Sequence, residues 1–175
     1  MRDFAARLEA GADYESRLFE ILKGKGWTIF APARARLLPD GEAHAKIDTP
    51  KGSFIAPDCM AWPPGGGLSL LLEVRMKRGP WDGAYPLNAA AKGRSDRWLP
   101  LQGAQRTCGG VCVVIADQEA KKWRIAPVTK LEAHIFRRGD FWMLPVFCFE
   151  SISVLFNQTT RERFITEAYK DEWDF

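Results

Sequence analysis

The chain has 175 residues and a mass of 19.7 kDa, with 46% hydrophobic and 27% charged residues. This fits one globular domain over 1–175 and excludes wholesale disorder. Twenty-five basic residues against 22 acidic ones leave a net charge of +3, too weak a surplus to predict a nucleic-acid partner by itself. No apolar run nears the roughly 20 residues that span a bilayer, and the opening Met1-Arg2-Asp3-Phe4 lacks an apolar leader, so the expectation is a cytoplasmic protein with no membrane contact.

In chain order, residues 4–9 read as an earlier helical turn or a short preceding helix, and residues 12–24 as an amphipathic helix, with Tyr14, Leu18, Ile21 and Leu22 on one stripe. Asp13 is its candidate N-cap, and Gly24 or Gly26 its stop. Trp27–Phe30 is a strand, and 31–42, with Pro32, Pro39 and Asp40-Gly41, is a loop. Residues 46–48 and 53–55 flank Thr49-Pro50-Lys51-Gly52 and predict a hairpin, whose second strand continues through 57–62. After Pro63-Pro64-Gly65-Gly66-Gly67, residues 68–77 give the strongest strand of the chain. The Gly- and Pro-punctuated stretch 79–95 predicts a mobile loop. A helix within 96–107, a buried strand over 111–116 and a short strand over 123–126 follow. A helix over 129–137, one or two strands within 141–156 and a polar helix over 159–170, capped by Thr159 or Thr160, complete the series. The order implies an α/β (α+β) fold, a mixed central sheet flanked by helices.

The four cysteines, Cys59, Cys108, Cys112 and Cys148, form no C-x-x-C pair, and His44 and His134 are distant from them and from each other. That disfavours a structural zinc site, a disulfide framework and a His-dependent nucleophilic triad; buried thiols are preferred. No phosphate-binding G-x-x-x-x-G-K-[ST] loop is present.

The main clue is Leu70-Leu71-Leu72-Glu73-Val74-Arg75-Met76-Lys77. Strand alternation places Glu73, Arg75 and Lys77 on one face and Leu72, Val74 and Met76 on the other. The charges emerge where a buried strand ends, a common place for ligands in open α/β sheets. A buried carboxylate needs a cation beside it, and Arg75 or Lys77 supplies one in the simplest reading. A second acid, Asp58, follows Pro57 near the end of the preceding strand. Neighbouring strands lie about 4.8 Å apart, so Asp58 and Glu73 can project into one pocket. Two carboxylates at that distance repel unless they share a proton or a divalent ion, and Mg²⁺ favours such oxygen donors.

Pro57-Asp58, fourteen intervening residues and Glu73-Val74-Arg75 resemble the PD-(D/E)XK nuclease superfamily, with Arg75 where that family carries lysine. Gly11-Ala12-Asp13-Tyr14-Glu15 with Leu18, Leu22 and Gly26-Trp27 is similar to the family's first helix. Gln102 and Gln105, followed by Gly109-Gly110 and an apolar strand, resemble its Holliday-junction resolvase-like members. The resemblance spans residues 11–116, with 123–170 as C-terminal additions. It implies a restriction-endonuclease-like core and a metal-dependent endonuclease acting on DNA. Asp58 and Glu73 would ligate Mg²⁺ or Mn²⁺, with the Val74 carbonyl, and Glu15 would hold a water or a second metal. Arg75 would contact phosphate, while Lys77, one pleat further on, would replace the missing lysine, because an arginine does not readily release a proton. Gln105 or Gln102 would contact the scissile phosphate or a water.

Residues 75–106 carry +5 and leave −2 for the rest of the chain. In this segment Arg78, Lys92, Arg94, Arg97 and Arg106 interleave with Trp81, Tyr85 and Trp98, a pattern suited to phosphate contact and base stacking on DNA. Lys121-Lys122 and Arg137-Arg138 read as surface pairs. Repair, recombination or phage and other mobile-element biology is the implied setting, with branched DNA a candidate substrate and a homodimer the assembly that symmetric cutting needs. The alternative is a catalytically weak or inactive nuclease fold serving as a DNA-binding or protein-interaction module.

Overall fold

The structure is a computed structural model that describes residues 2–31, 46–49, 52–90 and 96–170, with side chains at 13–31, 56–90 and 96–170. The first helix, α1, runs Arg2–Gly24, longer at its start than the amphipathic stripe indicates. Asp13 is therefore not a cap; it lies inside the helix and pairs with Arg17 at 2.8 Å. The chain leaves α1 through Gly26, at φ +84°, into β1 (Thr28–Phe30).

Strands β2 (Lys46–Thr49) and β3 (Gly52–Ile55) form the expected hairpin as a two-stranded sheet of their own. Residues 57–62 do not extend β3. The chain breaks at Ala56-Pro57, and β4 (Cys59–Trp62) joins a different sheet, antiparallel to β5 (Leu70–Lys77). Proline has no N–H for a ladder, so Pro57 marks the point where one sheet is left and another entered.

The stretch expected to be a loop contains β6 (Ala84–Asn88), whose first four residues are buried. Helix α2 (Leu99–Cys108) and β7 (Val111–Asp117) follow, then β8 (Lys122–Pro127). The helix expected over 129–137 is cut to α3 (Val128–Glu132), and Phe136–Arg138 is β9, turned by Gly139-Asp140 into β10 (Phe141–Pro145). The chain finishes with β11 (Glu150–Ser151) and α4 (Gln158–Ala168). Asn157, not Thr159 or Thr160, caps α4: its side chain accepts from the Thr159 and Thr160 amides at 3.0 and 3.4 Å.

Six strands make the central sheet in the order β1-β4-β5-β7-β8-β11, with β5 and β7 parallel and the other pairs antiparallel. It is the expected mixed sheet. Alternation on β5 divides the core. Leu70, Leu72 and Val74 pack with Leu18 and Leu22 of α1 and Phe164 and Ala168 of α4. Leu71 joins Val113, Ile115, Leu101 and Ala104 of α2, and Tyr85 and Leu87 of the three-stranded sheet β6-β10-β9. The central sheet is thus covered on both faces, as a continuous apolar strand such as β7 requires.

Candidate active site

The register of β4 on β5 pairs Cys59 with Leu72. One step beyond the ladder, Asp58 stands opposite Glu73, and residues opposite one another in an antiparallel pair project from the same face. The Asp58 carboxylate turns toward β5: its Oδ2 accepts a hydrogen bond from the Val74 amide at 2.7 Å. The side chain takes the Val74 amide that a further β4 residue would have bonded, so the β4 ladder starts only at Cys59 while β5 runs on to Lys77 beside β7.

Glu73 is buried to 7% exposure, on the face shared with α2 and the smaller sheet. Arg75 neutralises it. The Arg75 Nη2 donates to Glu73 Oε1, Nη1 donates to the Val74 carbonyl at 3.1 Å, and Nη1 lies 3.9 Å from Asp58 Oδ2. One guanidinium therefore touches a backbone carbonyl and both carboxylates. A hard divalent cation seeks the same oxygens, so a cationic group among all three marks a donor set that suits Mg²⁺ or Mn²⁺. Among the described residues, no three His, Cys, Asp or Glu side chains group closely enough to hold one ion, so Glu15 does not complete a three-carboxylate cage with Asp58 and Glu73.

Glu15 stands on α1, which packs on the reverse, Leu72–Val74 face. It is half-buried, one turn before Leu18. Its neighbour Tyr14 accepts a hydrogen bond from Gln118 Nε2 at 3.2 Å, and the same amide lies 3.3 Å from Met76 Sδ, which fixes this turn of α1 over the charged end of β5. Burial, then the charges of Asp58 and Glu15, push the Cys59 thiol far up, so this cysteine stays neutral.

Lys77 shares the Glu73–Arg75 face at the last residue of β5. Burial and then the Arg75 charge lower its ammonium to about 8. Beside it, Lys77 pairs in parallel register with Asp117, which is only 3% exposed. Asp117 is held by the Tyr85 hydroxyl at 2.5 Å, the Ala120 amide at 2.9 Å and the Arg124 guanidinium at 3.7 Å. Burial alone would raise its carboxyl, but the Tyr85 hydroxyl, the backbone donors and Arg124 hold it below the ordinary value. Sequence reasoning misses this network. Its one signal is an acid ending the buried run Val111–Ala116; Tyr85 is hidden in a segment that reads as loop.

The other candidates lie elsewhere. Gln105 is buried, and both ends of its amide are committed: Oε1 accepts from the Val111 amide and Nε2 donates to the Ala168 carbonyl, each at 2.9 Å. It brackets α2, α4 and the first residue of β7 rather than facing Glu73. Gln102 donates to Glu132 at 2.5 Å and Arg106 pairs with the same carboxylate at 3.3 Å, tying α2 to α3. Arg78 is exposed and 3.8 Å from Glu119. Arg97 is half-buried, its amide bonded to the Asn88 carbonyl at 3.0 Å. Lys92 and Arg94 lie outside the described residues. Trp98 is core, whereas Trp81 is half exposed and packs edge-on against Phe141 at 5.2 Å.

The architecture is similar to that of a solved archaeal protein, Hjc of Archaeoglobus fulgidus, described as a Holliday junction resolvase from a hyperthermophile. The two share a fold. The similarity covers 84% of this chain and 100% of Hjc, at a TM-score of 0.53 and 21% identity. No protein-family model and no curated protein matches the chain. Among the described residues, no helix is long and apolar enough to cross a membrane.

Proposed function

We propose that the chain is a metal-dependent deoxyribonuclease of the PD-(D/E)XK type that hydrolyses phosphodiester bonds, with branched DNA as its substrate. The observation that carries this reading is that one guanidinium, that of Arg75, contacts the carboxylates of both Asp58 and Glu73. The shared fold with Hjc supports it.

Asp58, Glu73 and the Val74 carbonyl are the groups that would hold Mg²⁺ or Mn²⁺, which when bound supplies polarisation of the phosphoryl oxygen and a more acidic water. The protein's own residues do the rest. Lys77, lowered to about 8, takes the proton of the attacking water once the pH rises past that value, which Arg75 does not do. Arg75 offers a two-point contact to a phosphate. Glu15 orders water on the α1 side of the site. Arg78, Lys92, Arg94, Arg97, Gln102 and Arg106 are proposed to follow the DNA backbone, and two copies are needed to cut both strands of a junction symmetrically.

The test is cleavage of linear, nicked, flapped and four-way DNA with Mg²⁺ or Mn²⁺. Asp58→Asn and Glu73→Gln should each abolish cleavage in protein that remains folded. Cleavage that persists in both variants, or in chelator, would falsify the assignment. A second reading is a DNA-binding module without turnover, favoured by the arginine that holds both acids where the family has a lysine. Its signature is tight junction binding with no product at any metal concentration.

A further inference from the structure

Resting on the nuclease reading, we infer that Arg75 is a built-in competitor for the metal: its guanidinium fills the cation position, and an ion enters only by displacing it. The argument is geometric. A strand places residues 73 and 75 on one face, and a long planar side chain at 75 can fold back over 73. Arg75 does so, and it reaches the Glu73 carboxylate, the Val74 carbonyl and the edge of Asp58 together. These are the same three oxygen groups that the ion needs. The site therefore never rests as two bare carboxylates, whose repulsion would loosen the end of β4. A divalent ion must dislodge a cation already in contact with both acids, so metal affinity is set low by residue 75. The displaced guanidinium can then swing toward a phosphate.

Mn²⁺ binding to the full chain, followed by the electron paramagnetic resonance signal of the free ion without DNA, tests this directly. Arg75→Gln should bind Mn²⁺ at least about tenfold more tightly than wild type, since each tenfold step is a modest change in binding free energy. Its melting temperature should be lower than wild type without metal and should rise further than wild type's on adding Mn²⁺. Arg75→Lys separates occupancy from charge. A compact ammonium cannot span all three oxygens, so this variant should fall between wild type and Arg75→Gln. If Arg75→Lys matches wild type while Arg75→Gln tightens, only net charge matters and the displacement idea is overturned. It is equally overturned if Arg75→Gln binds Mn²⁺ no more tightly than wild type while Asp58→Asn abolishes binding. If no variant, and not wild type, shows binding that depends on Asp58, the metal assignment itself falls, and the nuclease reading with it.

Discussion

Lys77 is the residue on which turnover is expected to hinge. Its ammonium is lowered to about 8, chiefly by burial and then by Arg75. Below that value the amine is protonated and cannot accept a proton; above it the neutral form is available. The cleavage rate at saturating Mg²⁺ should therefore climb with rising pH and level off once Lys77 is neutral, its midpoint moved from about 8 by the charge of the bound ion and the displacement of Arg75. Lys77→Met should remove that rise and lower the rate at least about 100-fold, the usual scale of general-base catalysis. A rate unchanged by Lys77→Met would end its role. Asp58 is different in kind, because its Oδ2 also accepts the Val74 amide. Asp58→Ala leaves that donor without its partner and should cost about 1–3 kcal/mol in chemical denaturation, whereas Asp58→Asn keeps an acceptor and should cost less. An abolished cleavage is then attributable to chemistry only in the asparagine variant.

At the scale of elements, Gln105 gives the clearest prediction. Its amide accepts the Val111 N–H and donates to the Ala168 carbonyl; that carbonyl also accepts the Gly110 amide at 3.1 Å, so Gln105→Leu leaves the buried Val111 N–H as the group without its partner. The expected destabilisation is about 1–3 kcal/mol by urea unfolding, with cleavage by the folded fraction unchanged. A fall in cleavage without a fall in stability would restore the phosphate contact expected from the sequence. The same bracket shows why some elements are legible in the sequence and others are not. β5 and β7 are unbroken apolar runs, and a fully buried strand has no other appearance. The facing acids follow from β5 alternation and the short Pro-Gly connection. β6 is concealed because Gly79, Pro80 and Gly83 lead into it and Pro86 lies inside it. Pro86 pairs with Met143, and it is tolerated because β6 is an edge of its three-stranded sheet. β9 is concealed because a helical period over 129–137 outweighs Gly139-Asp140, the two-residue hairpin connection between Arg138 and Phe141, with Gly139 at φ +58°. The Glu73–Arg75 pair is one of the two the sequence offers, but the reach of the same guanidinium to Asp58 is not legible: a sequence tells which face a side chain takes, not how far it folds back.

For the whole molecule, the uneven charge is the feature that matters to a polyanionic partner. The +5 of residues 75–106 lies directly after the acidic pair in sequence, but the described part of it is partly neutralised: Arg75 by Glu73, Arg106 by Glu132. Replacing Lys92, Arg94 and Arg97 together by glutamine should weaken binding to a labelled four-way junction. The slope of log affinity against log salt should flatten by about 1 for each phosphate that the protein no longer neutralises. An unchanged slope would place the DNA on another surface. The large sheet also ends in very small outer strands, three residues in β1 and two in β11. Such rims leave few backbone donors and acceptors for a visiting strand, so intermolecular ladder growth is blunted at both ends. Copies that pair as proposed above would gain little by stitching these rims of the large sheet together and would meet through other surfaces.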